Sequence, residues 1–133
     1  MAKQIFVNLP VKDLKKSMNF FTQLGFEFDM NFTNENAACL VLGPNIYSML
    51  LQEEFFKTFT PKQIIDAKKD VEVLIGISAE SRQEVDEMAA KAKKAGGTSF
   101  REFQDYGFMY SQAFQDLDGH VWEVIWMDET ANK

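Results

Sequence analysis

Cysteine and histidine are nearly absent: the 133 residues contain one of each, Cys39 and His120. One thiol closes no intrachain disulfide, and one thiol with one imidazole builds no thiolate- or histidine-rich metal cluster. Cys39 sits in the apolar run 37–42 and reads as a buried, inert thiol rather than a nucleophile. Positive charge is also short. Fourteen Lys and Arg against twenty Asp and Glu leave a net charge of −6 with no basic stripe, which argues against nucleic acid as a partner. No apolar run approaches the ~18 residues of a membrane span. Residues 1–4 enter a strand directly, with no secretory leader, so a cytoplasmic setting and no membrane partner are expected.

Phenylalanine, by contrast, is abundant. There are 13, many alternating with polar residues, which favours sheet. A short strand over 4–9 ends at Pro10. Asp13 is a helix N-cap, followed by Leu14, Met18, Phe21 and Leu24 at helical spacing and a stop at Gly25. Residues 26–32 alternate with period two and predict a strand. Residues 37–42 predict a second, Gly43-Pro44-Asn45 a hairpin turn, and 46–51 the returning strand. Thr60-Pro61-Lys62-Gln63 has the form of a helix start and predicts a helix reaching Ala67 or Lys68, preceded by Phe55, Phe56 and Phe59. The order then repeats. Val71, Val73, Ile75 and Ile77 alternate on a strand. Ser81-Arg82-Gln83-Glu84 is a capping box opening a helix that ends at Gly96-Gly97. Strands follow over 98–103, 108–114 and 121–127.

The fold class expected is therefore α+β, with paired βαβββ modules forming a cup-shaped mixed sheet and helices outside. A single domain over 1–133 divides into module one at about 3–52, a linker helix at about 53–69 and module two at about 70–128. The helix caps Asp13 and Ser81 lie about half a chain apart, which anchors the repeat. On the last strand, Trp122, Val124 and Trp126 share one face, and Val121, Glu123, Ile125 and Met127 share the other. Glu123 is thus a carboxylate among apolar neighbours, and must be solvated, paired, metal-bound or protonated.

Two motifs carry a family resemblance. Val11-Lys12-Asp13-Leu14-Lys15-Lys16-Ser17, with Phe20-Phe21 and Leu24-Gly25-Phe26, resembles the opening of the glyoxalase/bleomycin-resistance/extradiol-dioxygenase (vicinal oxygen chelate) superfamily. Asp116-Leu117-Asp118-Gly119-His120, with Trp122-Glu123, resembles its closing motif. The resemblance implies a cup in which a divalent metal is held by a residue on the first and the fourth strand of each module. At those positions this chain has Phe6, Met49, Leu74 and Glu123, so one ligand of four is present. The expected metal set is none, and no cofactor is favoured.

Three readings follow. In the first, an apolar cup lined by Phe6, Asn8, Met49, Leu74 and Tyr110 binds a small aromatic or cationic molecule beside Glu123, as in the bleomycin-resistance branch. In the second, Glu123 is the general base of a metal-independent lyase or isomerase, with Tyr47, Tyr106 or Tyr110 as donor to an oxyanion. In the third, the chain is a protein-interaction scaffold and Glu123 is a satisfied acid. The resemblance also implies a homodimer.

Overall fold

A computed structural model describes residues 1–130. The chain divides into two compact units, Met1–Asp66 and Ala67–Lys133. Each carries one four-stranded mixed sheet and one long helix, so the α+β class and the repeated strand–helix–three-strand order are both present.

In the first unit, β1 (Ile5–Val11) is followed by α1 (Leu14–Gln23), β2 (Glu27–Asp29), β3 (Ala37–Gly43) and β4 (Ile46–Gln52). The sheet order is β1-β4-β3-β2, with β1 parallel to β4 and the other pairs antiparallel. Asp13 is the N-cap of α1, its carboxylate accepting from the Lys16 amide at 3.1 Å. The helix stops at Gly25, whose φ of 99° suits a residue without a Cβ. Leu14, Phe20, Phe21 and Leu24 are buried, together with Leu9, Val11, Ala38, Leu40 and Leu50 of the strands. The core of this unit therefore lies between α1 and one face of the sheet. The hairpin turn falls where expected, with Asn45 at φ 64°.

In the second unit, β5 (Leu74–Ser78), α3 (Arg82–Lys94), β6 (Thr98–Asp105), β7 (Met109–Gln115) and β8 (Val121–Met127) form a sheet ordered β5-β8-β7-β6. Ser81 caps α3 by accepting from the Glu84 amide at 3.1 Å, and the Glu84 carboxylate accepts from the Glu80 amide at 2.9 Å. Trp122, fully buried, packs with Phe114, Val124 and Val85 in the core.

Three expectations are corrected. The alternation over 26–32 forms a strand only at Glu27–Asp29. Asp29 then caps a 3-10 turn, Met30–Phe32, through the Asn31 amide at 3.0 Å, and this local bond ends the ladder. No helix forms over 60–68. The helix of the connecting segment is earlier and shorter, α2 (Glu53–Phe56), continued by a 3-10 turn at Lys57–Phe59. The Thr60 hydroxyl accepts from the amide two residues on, Lys62, at 3.1 Å, closing a turn rather than a helix. Ile64 and Ile65 are adjacent and give no helical stripe to bury. Finally, β5 starts at Leu74, because its ladder partner β8 begins at Val121. Val71 and Val73 precede the ladder and are exposed.

Candidate functional site

The closing turn of the second unit fixes the start of β8. Asp116 is buried and fully engaged: one carboxylate oxygen accepts from the amides of Asp118 and His120, each at 3.0 Å, and the other from the Trp122 indole at 3.1 Å. Burial pushes its carboxyl above the usual range, opposed by the nearby His120. Gly119 has φ 93° and lies directly against the backbone of residues 67–68. His120 belongs to this turn and hydrogen-bonds Asp116 through its backbone N–H and carbonyl, as expected for a turn residue.

Strand register then sorts the side chains. Trp126 pairs with Tyr110 on the face that α3 covers. There the Tyr110 hydroxyl donates to Asp86 at 2.6 Å, and the Arg82 guanidinium lies 5.0 Å from the Tyr110 ring centroid and 5.2 Å from that of Trp126. Arg82 also holds Asp105 through two hydrogen bonds of 2.8 and 2.9 Å. The structure thus places Tyr110 on the opposite face of the sheet from Glu123, engaged by the helix.

On the face turned away from α3, one transverse row reads Gly76, Glu123, Ala113, Arg101 across β5, β8, β7 and β6. Arg101 reaches over the short Ala113 side chain and donates from Nη2 to Glu123 Oε2 at 2.5 Å, with about a quarter of each side chain exposed. Arg101 is the functional-site candidate that sequence reasoning missed. Ser99 pairs with Phe114 and Arg101 with Ala113, so two steps on β6 match one on β7. This bulge at Phe100 turns Arg101 onto the Glu123 face. Simple alternation from Ser99 would have sent it to the other side. Leu74, paired with Val121, stands on the same face as Glu123 and is half exposed.

The first unit repeats the geometry with different chemistry. Asn8 pairs with Met49 as Gly76 pairs with Glu123. Phe6 and Met49 stand on the face turned away from α1, beside Tyr47. The Phe6 and Tyr47 rings stack at a centroid distance of 5.1 Å and an interplanar angle of 13°, and half of Phe6 is open to solvent. Cys39 shares this face, buried and unbridged. Burial first, and the Asp29 charge second, push its thiol above its ordinary value.

Among the described residues, no three His, Cys, Asp or Glu side chains come together in a group that could hold a metal ion. Hollows also lie beside the helices. One of about 570 Å³ in the first unit is lined by Lys12, Leu14, Met18, Met30 and Gln52 among others. One of about 270 Å³ under α3 is lined by Asp86, Ala89, Lys93, Ser99 and Gln112 among others.

Residues 3–124 match the family model for the Glyoxalase/Bleomycin resistance protein/Dioxygenase superfamily. Among solved structures, a hypothetical protein from S. aureus is 27% identical, with a TM-score of 0.80 and 94% of each chain covered. A glyoxalase-related enzyme from Fulvimarina pelagi has a TM-score of 0.78 at 16% identity, covering 94% of this chain and 88% of its own. A glyoxalase/bleomycin resistance protein/dioxygenase family enzyme from Burkholderia phytofirmans PsJN has a TM-score of 0.76 at 16% identity, covering 92% of this chain and 96% of its own. A comparison with curated proteins gave no match.

Proposed function

This chain belongs to the Glyoxalase/Bleomycin resistance protein/Dioxygenase superfamily, and from that premise we propose that it binds a small planar aromatic molecule without a metal ion. One observation carries the reading. Glu123, the single family-type ligand, already faces a cation of its own chain, the Arg101 guanidinium at 2.5 Å. The other three positions are Phe6, Met49 and Leu74, none of which offers an oxygen or nitrogen donor. A divalent ion would have one charged ligand, and would meet the Arg101 guanidinium at close range beside it. These residues do not fit a metal.

What they do fit is an apolar ligand face. The stacked Phe6–Tyr47 pair is exposed on one side, with Met49 and Asn8 beside it. Met49 adapts to a flat partner, and Asn8 supplies a polar anchor at the rim. With its charge met by Arg101, Glu123 has less to offer a cationic ligand. Its Oε2 oxygen is already engaged by the guanidinium, which leaves it less available to take a proton from a substrate. The binding reading therefore stands ahead of the catalytic one. It includes a homodimer and a cytoplasmic setting, the first checkable by light scattering.

The test joins two titrations. Calorimetry with Ni²⁺, Zn²⁺, Mn²⁺ and Fe²⁺ is expected to give no stoichiometric binding, and elemental analysis of untagged protein no bound metal. A thermal-shift screen of bicyclic aromatics is expected to give saturable stabilisation. Phe6→Ala should weaken it by about 2- to 12-fold, the equivalent of ~0.5–1.5 kcal/mol of ring stacking. Stoichiometric metal binding abolished by Glu123→Ala would overturn the proposal.

A further inference from the structure

The Arg101–Glu123 pair has hydrogen-bonding capacity left over. A guanidinium carries five N–H donors. Here Nη2 donates to Glu123 Oε2, and Nη1 makes a long contact of 3.5 Å to the Glu102 carbonyl. Among the described residues, Glu123 Oε1 accepts no hydrogen bond. Among the described residues, no buried side-chain nitrogen or oxygen lacks a partner, so the spare atoms of this pair are reached by solvent. Their neighbours in the row are Gly76, which is exposed and toward which the Ile125 Cδ1 leans, and Ala113, whose short side chain lies beneath the arginine. Leu74 and Ile125 flank it with apolar surface on the same face.

Charge decides what such a pair selects. A ligand carboxylate drawn to Arg101 meets the Glu123 oxygen, and a ligand cation drawn to Glu123 meets the guanidinium. Each is opposed at close range by one member. A neutral group that donates and accepts side by side satisfies both members at once and meets no like charge.

We propose that the Arg101–Glu123 pair recognises the lactam or carboxamide edge of a planar ligand, Arg101 donating to its carbonyl oxygen and Glu123 Oε1 accepting from its N–H. This rests on the reading above, that the chain binds planar organic molecules without metal, and concerns the second unit's own sheet face, where Leu74 and Ile125 flank the pair.

The experiment is calorimetry on the intact protein at pH 7 with four probes of similar size: isoindolinone, its N-methyl derivative, benzoate and benzamidine. Isoindolinone is expected to bind at least 10-fold more tightly than each of the other three. Arg101→Met and Glu123→Gln should each lower isoindolinone to the level of the N-methyl compound. The comparison within the wild-type protein needs no variant to fold, and Arg101→Lys serves as a second, charge-keeping variant that should restore part of the preference. If the N-methyl compound binds as tightly as the lactam, or if benzoate or benzamidine binds more tightly, the recognition proposal is overturned while metal-free aromatic binding stands. If none of the four binds and a divalent metal does, both are overturned.

Discussion

Replacing Gly119 by alanine tests whether the closing turn is clamped by the segment before β5. Two terms add. At φ 93° an L-residue is in the left-handed half of the map, at a cost of ~1–2 kcal/mol. In addition, a Cβ there would stand 2.7 Å from the Lys68 backbone nitrogen and 2.8 Å from the Ala67 carbonyl carbon. These are main-chain atoms and do not swing aside as the tip of a lysine does. Forcing them apart resembles overpacking a core, at ~1–3 kcal/mol. The control is Gly107→Ala in the same unit, where φ is 80° and nothing lies within 4 Å of the added carbon. It isolates the conformational term. Gly119→Ala should therefore be less stable than Gly107→Ala by ~1–3 kcal/mol, or about 0.5–1.5 M in urea midpoint for a typical slope. Tryptophan fluorescence suits the assay, because both tryptophans lie on β8 and report the second unit. Equal midpoints for the two variants would refute the reasoning, and so would a changed slope for Gly119→Ala alone, which would move the effect into the unfolded chain.

Two further outcomes are expected. The Arg82 fork, then the Gly107 amide, hold the Asp105 carboxyl down to about 2 from its ordinary 3.8. A depressed folded-state value means stability that is fully present above pH 3.8 and lost as pH falls toward 2. Arg82→Met should thus be less stable than wild type at pH 7, with the gap closing across that window in urea midpoints taken from pH 7 to pH 2. A gap that stays constant with pH would contradict the assignment. The Cys39 thiol, raised by burial, should react with a disulfide reagent at pH 8 only slowly in the native protein and fully in denaturant, and rapid native labelling would place it at the surface.

Local signals read well from the sequence. Asp13 and Ser81 cap the helices, and Gly43-Pro44-Asn45 turns the hairpin, because each bond involved closes within a few residues. The face assignments on β8 were also legible, since period two is a property of the strand itself. Signals failed where a partner decides. Val71 and Val73 alternate correctly, but among the described residues no strand lies opposite them. Thr60-Pro61 is a sound helix start with no apolar stripe behind it. Arg101 was invisible for the same reason. Its face is set by a bulge, which is a mismatch between two strands and is written in neither alone. Tyr110 lay on a face whose covering element only the tertiary structure names, and the hydroxyl expected beside Glu123 belongs instead to Asp86 of α3.

Comparison of the two units shows one fold carrying two chemically different open faces. Both sheets have the same strand order, and the Asn8–Met49 and Gly76–Glu123 pairs occupy equivalent steps of their parallel ladders. The packed layer of each unit lies on the other face, where Leu9, Leu40 and Leu50 meet α1, and Trp122, Val124 and Phe114 meet α3. On the face turned away from the helix, the equivalent residues Met49 and Glu123 are only partly buried, so a thioether and a carboxylate are both compatible with the architecture. The constraint on that face is chemical rather than structural. A carboxylate left alone among apolar neighbours must find a partner or lose its charge. In this chain the partner comes from β6, by a bulge that shifts one arginine across the sheet. That local adjustment gives Glu123 a cation from its own chain, beside the apolar side chains of Leu74 and Ile125 on the same face.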